Sequence, residues 1–266
     1  MKNRIAAAGR AVLGMGVALA LGAAQAASAA PPTDQKAAAC LYELQAESWR
    51  FARLQREIIV NAGRSGGANK LRTQIKAATQ ELMLNLHEAQ PGMKAAGLDK
   101  QYKRLEDTVA DYLAEAAASA GDRELVSLRA KQGVVMKAVD EARGALTPKL
   151  NPKYAKGMAL IGGAKANVER LAHDFEFCGK AECAQQLPAE MAELERQFDG
   201  MRTQLGDFFS KSNHELARNQ LIFMRLAVDG RLKSGSPDAG QENLIVSAGH
   251  LWEIIDGVLD AFAEKG

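Results

Sequence analysis

Aromatic residues are scarce in this chain: two Trp, four Tyr and eight Phe among 266 residues, 5% in all. Cysteine occurs three times and proline seven times. Neither charge sign dominates, with 34 Lys and Arg against 32 Asp and Glu. Each shortage excludes a class. So few cysteines cannot staple a disulfide-dense mini-protein, and so few prolines do not make a collagen-like chain. An apolar content of 47% at a formal charge of only +2 excludes an intrinsically disordered chain. No stretch offers several period-two strands with turn chemistry between them, so a β-fold is not expected.

Chemical motifs are missing too. There is no CxxCH for haem attachment, no HExxH for zinc and no SxxK. No cysteine has an obvious base at a recognisable spacing. The glycines of 63–67 lack the GxxxxGK[ST] spacing of a phosphate loop, and no strand signal precedes them. The expectation is a protein that is not an enzyme and carries no cofactor.

The first 29 residues read as a secretory signal peptide. Lys2, Arg4 and Arg10 form its positive start and Val12 to Leu21 its apolar middle. Ala27-Ser28-Ala29 is the cleavage site, with Ala24-Gln25-Ala26 as its rival. The apolar middle is too short to span a bilayer, which favours cleavage over a retained anchor. Pro31 and Pro32 follow as an extended spacer. The mature protein is expected to be soluble, periplasmic or secreted, with no membrane insertion. Cleavage removes three of the 34 basic residues and no acidic one, which leaves 31 against 32 and a charge of −1. Nucleic acid and anionic membrane surfaces are therefore not expected as partners.

An oxidising compartment favours a disulfide between Cys178 and Cys183, which four residues separate. A redox-active pair more often has two residues between its cysteines. Cys40 is the odd thiol, either buried or cross-linking a dimer. Its lead-in, Ala37-Ala38-Ala39, lies too far beyond the apolar run for a lipidation signal.

Apolar spacing predicts helices almost throughout. The first covers 34–62, with Leu41, Leu44, Ser48, Phe51, Gln55 and Ile58 on one stripe. The glycine-rich run 63–67 ends it. The second covers 68–90 with Leu71, Ile75, Ala78, Leu82 and Leu86, and Pro91-Gly92 is expected to stop it. Asp99 caps a third carrying Tyr102, Leu105, Val109 and Leu113. Gly121-Asp122 is either a break or a kink before a fourth, which carries Leu125, Leu128, Val135 and Val139 and ends by Thr147-Pro148. Asn151-Pro152 opens a fifth with Tyr154, Met158, Ile161, Val168, Ala172 and Phe175.

Pro188 is expected to open a sixth helix. Its Leu187, Met191, Leu194, Phe198, Met201, Leu205 and Phe208 repeat every 3.5 residues, the seam of left-handed helix packing. Ser212, with Glu215 completing a capping box, starts a seventh that carries Leu216, Phe223, Leu226 and Ala227. The last starts at Ser236-Pro237 or at Gln241 and carries Leu244, Ala248, Leu251, Ile255, Val258 and Phe262. The fold class is all-α, an antiparallel bundle of about eight helices. It divides into two four-helix units, 30–150 and 151–266, or forms one bundle of longer kinked helices.

Binding chemistry is sparse. No two of His87, His173, His214 and His250 share a helical turn. His250 and Glu253, spaced i, i+3, are the weak metal candidate, though a bundle metal site needs further ligands. Non-covalent haem would use methionines such as Met158, Met191 and Met201, which core packing explains better. The leading candidate is a small anion. Gly66-Gly67 opens a helix whose first turns carry Lys70, Arg72 and Gln74, with Arg64 just before. Free N–H groups and the helix dipole favour an anion there. The plainer explanation is a glycine-broken turn followed by a solvated basic face.

These same residues resemble a known family. An export signal followed by helical bundles is similar to the PilJ/NarX-type periplasmic sensor domains of pilus chemotaxis transducers and nitrate-responsive kinases. Their signature run resembles A-G-R-Q-R-M-L-S-Q-R. Gly67-Ala68-Asn69-Lys70-Leu71-Arg72-Thr73-Gln74 aligns with it without gaps, with Gly67 and Gln74 matching and Lys70, Leu71 and Thr73 similar. The family's Arg-Met pair is Lys70-Leu71 here, its later Arg is Ile75, and Arg72 is not on a matching position. Residues 215–220 and 224–227 form a second, gapped echo. The resemblance implies a helical module that senses a nitrate- or nitrite-like anion for a membrane partner. The alternative is a scaffold or chaperone-like adaptor that holds protein surfaces in grooves of Leu, Met and Phe. Metal or haem binding comes third.

Overall fold

Asn151 shows how local sequence sets the architecture. Its side-chain oxygen accepts the backbone N–H of Lys153 at 2.9 Å, and Pro152 occupies the first helical position, where no donor is needed. Helix α5, Pro152–Phe177, starts there. The computed structural model describes residues 33–60, 68–118, 124–236 and 238–265. The signal segment 1–29, Pro31-Pro32, the run 63–67 and Gly121-Asp122 lie outside the described residues.

Among the described residues the protein is all-α, with eight α-helices, one 3-10 turn and no strand. The other helices are α1 Thr33–Val60, α2 Ala68–Ala95, α3 Asp99–Ala118, α4 Glu124–Leu146, α6 Lys180–Gln204, α7 Lys211–Ser234 and α8 Gln241–Lys265. The 3-10 turn, Thr147–Lys149, follows α4. Helices α1 and α5 form the centre. Helix α1 packs on α2, α4 and α5, and α5 packs in turn on α6 and α8. One continuous cluster of buried apolar side chains runs through both halves of the sequence. No described helix is long and apolar enough to cross a membrane.

Gly162 permits the central contact. A Cβ there would lie 2.4 Å from the Cβ and ring of Tyr42 on α1. The predicted stripes of α5 and α8 are buried at every position named. Cys178 and Cys183 form the expected disulfide, with sulfurs 1.94 Å apart. Cys40 is buried, and burial, reinforced by nearby Glu88, pushes its thiol up to about 11.

Four local expectations are corrected. Pro91 does not stop α2, which runs on to Ala95. Its glycine neighbour lets α2 approach α1, because a Cβ at Gly92 would meet the Thr33 carbonyl oxygen at 2.0 Å. Burial of Ala89 and Met93 outweighs one missing hydrogen bond. The true stop is Gly97, at φ +69°, where Leu98 N–H bonds to Met93 O and Gly97 N–H to Lys94 O. Pro188 likewise lies inside α6, which starts at Lys180. Glu182 accepts the Gly179 N–H at 3.4 Å, and buried Cys183 and Leu187 belong to the same helix.

Ser210, not Ser212, caps α7, accepting the Asn213 N–H at 3.1 Å. The buried face of α7 is Ala217, Leu221, Met224, Ala227 and Val228. Leu216, Phe223 and Leu226 are exposed. Two apolar stripes compete on this helix. The stripe with small residues wins because α8's lead-in comes close: a Cβ at Gly240 would sit 2.8 Å from the Ala227 Cα.

Candidate functional site

Helices α1 and α5 face each other with charges as well as apolar groups. Lys165 is 4% exposed and is held between Glu43, at 2.6 Å, and Asp256 on α8. Its ammonium also stands 4.2 Å from the centre of the Trp252 ring. Arg53 pairs with Glu169 at 3.3 Å, and Arg50 with Glu47 at 3.1 Å. The Lys165 and Arg53 pairs cross between helices and fix how they meet, whereas the Arg50–Glu47 pair lies within α1.

The ladder continues into an acid cluster on α5 and α6. Nδ1 of His173 lies 2.7 Å from Asp174, and Arg170 lies 2.8 Å from Glu190. Burial pushes the Glu190 carboxyl up to about 8, and the neighbouring Asp174 carboxylate reinforces it. Burial would raise Asp174 as well, but hydrogen bonds to His173 and Glu190 hold it below its ordinary value. Burial lifts Glu47 and Glu176 to about 7, against the opposing pull of Arg50 and Arg53.

Beside this cluster lies a cavity of about 140 Å³ among α1, α3, α4 and α5. Its polar lining is Gln55, Arg56, Arg129, Gln132 and His173, and its apolar lining includes Ala52, Leu128 and the Tyr112 ring. Arg56 is fixed without a carboxylate. It donates through Nη2 to the Phe177 carbonyl at 3.3 Å and stacks on that ring at 4.3 Å. Among the described residues no carboxylate lies within ion-pair distance of Arg56, and its buried Nε has no partner. Burial and then the positive charge of Arg129 lower its pKa. Arg129 itself pairs with Glu182 at 3.1 Å. Gln132 is 5% exposed, and its Nε2 is buried without a hydrogen bond. Both nitrogens, Arg56 Nε and Gln132 Nε2, are enclosed within the packed wall; Arg56 itself is only partly buried and lines the cavity without a carboxylate partner.

A second cavity, about 410 Å³, lies between α6 and α7. Arg202, Arg218 and Arg225 share its lining with Glu195, Asp199 and Asp229. Arg225 pairs with Glu195 through both oxygens, and His214 lies 3.8 Å from Asp199. No ion is demanded.

Of the residues singled out from the sequence, Lys70 and Arg72 are exposed on α2 and Gln74 is half-buried; none of them lines these cavities. Arg64 lies outside the described residues. Residues 63–67 also spell G-x-S-x-G, the pattern of a nucleophile elbow. That elbow needs a strand before its turn, whereas the described element that precedes these residues is helix α1. His250 and Glu253 are exposed on α8. Among the described residues no three His, Cys, Asp or Glu side chains gather as a metal site. Gln55, Leu125, Leu128 and His173 are marked in the sequence as stripe positions or as a histidine, whereas Arg56, Arg129 and Gln132 are not marked. Their one local signal is Arg129 and Gln132 at i, i+3 on α4, and nothing in the sequence says that this face meets Arg56.

No family model, curated protein or solved structure matches the chain.

Proposed function

We propose that the protein is an exported helical binding protein that holds a small anion in the cavity beside Arg56. One observation carries this reading: Arg56, an arginine without a carboxylate partner, lines a cavity together with the polar side chains of Gln55 and Gln132. A guanidinium without a charge partner is suited to charge-assisted hydrogen bonds with an anion. In this reading the protein binds and does not catalyse. Its service to a membrane partner follows the resemblance to PilJ/NarX-type sensor domains.

A thermal-shift panel of nitrate, nitrite, phosphate and acetate tests the reading. A ligand at one hundred times its Kd stabilises by about 2.7 kcal/mol. Arg56→Gln should abolish the shift, and Lys70→Gln with Arg72→Gln should leave it. The reverse pattern would move the site to the start of α2. No shift with any anion would remove the reading.

A second reading, a protein-binding adaptor, has its own observation. Leu216, Ile222, Phe223 and Leu226 of α7 are all about half exposed or more. A Phe223→Asp, Leu226→Asp variant that keeps anion binding but loses a co-purifying stoichiometric partner would favour it.

A further inference from the structure

The lining of the Arg56 cavity combines two chemistries, and their combination names a ligand class. This inference rests on the anion-binding reading. The first chemistry is donation. Arg56 lines the cavity without a carboxylate partner, and the amide side chains of Gln55 and Gln132 line it as well, while Arg129 is already paired with Glu182. Tyr112 joins them: among the described residues its hydroxyl makes no hydrogen bond. Burial raises its pKa, so it stays a protonated donor.

The second chemistry is hydrocarbon. Leu128 lines the cavity, and so does Val126, which is 77% exposed. An apolar side chain that open at a cavity mouth leaves surface for a ligand to cover. Inorganic oxyanions would answer the donors and leave this lining in water.

We infer that the cavity binds a small organic carboxylate. Its head lies on Arg56, Gln132 and Tyr112, and its short chain or ring lies on Leu128 and Val126. The volume of about 140 Å³ suits such a body. An apolar protein cavity of about 150 Å³ holds benzene.

Calorimetric titration of the purified protein with acetate, propionate, butyrate, nitrate and inorganic phosphate tests the inference. Kd should fall about fourfold for each added methylene. Butyrate should bind at least about tenfold more tightly than nitrate or phosphate, an expectation that follows from two such increments. Arg56→Gln should weaken every ligand, with an unliganded melt confirming its fold. Val126→Ser, at an exposed position, should narrow the ratio between butyrate and acetate. If nitrate binds as tightly as butyrate and Arg56→Gln abolishes both, the carboxylate inference fails and the anion reading stands. If no ligand gives heat, or Arg56→Gln changes nothing, both fail.

Discussion

The guanidinium of Arg231 on α7 donates through Nη2 to the carbonyl oxygen of Cys178, 3.3 Å away. Through Nη1 it also reaches the Gly235 carbonyl at 3.2 Å. One buried side chain thus ties the disulfide loop between α5 and α6 to the end of α7. Arg231→Met frees both carbonyls and should cost about 1–3 kcal/mol in urea denaturation. Serine at Cys178 and Cys183 removes a short loop closure worth about 2 kcal/mol. Because Arg231 bonds within that loop, the combined variant should lose less than the sum of the two. Additive losses would show that the arginine and the bridge act independently.

Stability should fall as pH rises through the neutral range. Burial first, and for Glu190 also Asp174, lifts Glu47 and Glu176 to about 7 and Glu190 to about 8, from an ordinary 4.5. From about pH 5 to 8 the folded chain keeps protons that the unfolded chain has released. The contribution is full below the unfolded value and is lost as pH climbs through the folded one. Glu190→Gln should flatten this slope and gain about 1–2 kcal/mol above pH 8, from the same linkage. Urea curves at pH 5 and pH 8.5 measure it, and parallel behaviour of the two proteins would refute it.

Two glycine-to-alanine changes on helices should act in opposite directions. Gly133 is exposed on α4 with nothing near its absent Cβ, so Gly133→Ala should stabilise by about 0.5–1 kcal/mol. Gly162→Ala drives a methyl group into Tyr42 and should destabilise by about 1–3 kcal/mol, despite the better helix former. Thermal melts compare them directly.

The register of α7 is testable with adjacent residues. Met224 is fully buried and Phe223 is 50% exposed. Met224→Ala should cost about 2–4 kcal/mol, and Phe223→Ser should stay within about 0.5 kcal/mol. Equal losses would place the helix face elsewhere.

Helices with a single apolar stripe are legible in the sequence. In α5 and α8 every predicted position is buried, because one face alone could serve as core. Pro91, Pro188 and α7 depart from local expectation for a shared reason. A proline's local cost is set against burial contributed by distant helices, and a helix with two apolar faces is turned by its neighbours.

By itself the sequence determined the all-α class, the Asn151 cap and the pairing of Cys178 with Cys183. Periodicity, capping and loop closure act over a few residues, so they are written locally. Only the tertiary structure decided that Arg56 and Gln132 share a cavity. The two residues lie on different helices, and their meeting depends on the packing of α1 against α4. The same packing left the arginine without a carboxylate, a shortage that composition cannot record because the chain as a whole is balanced in charge.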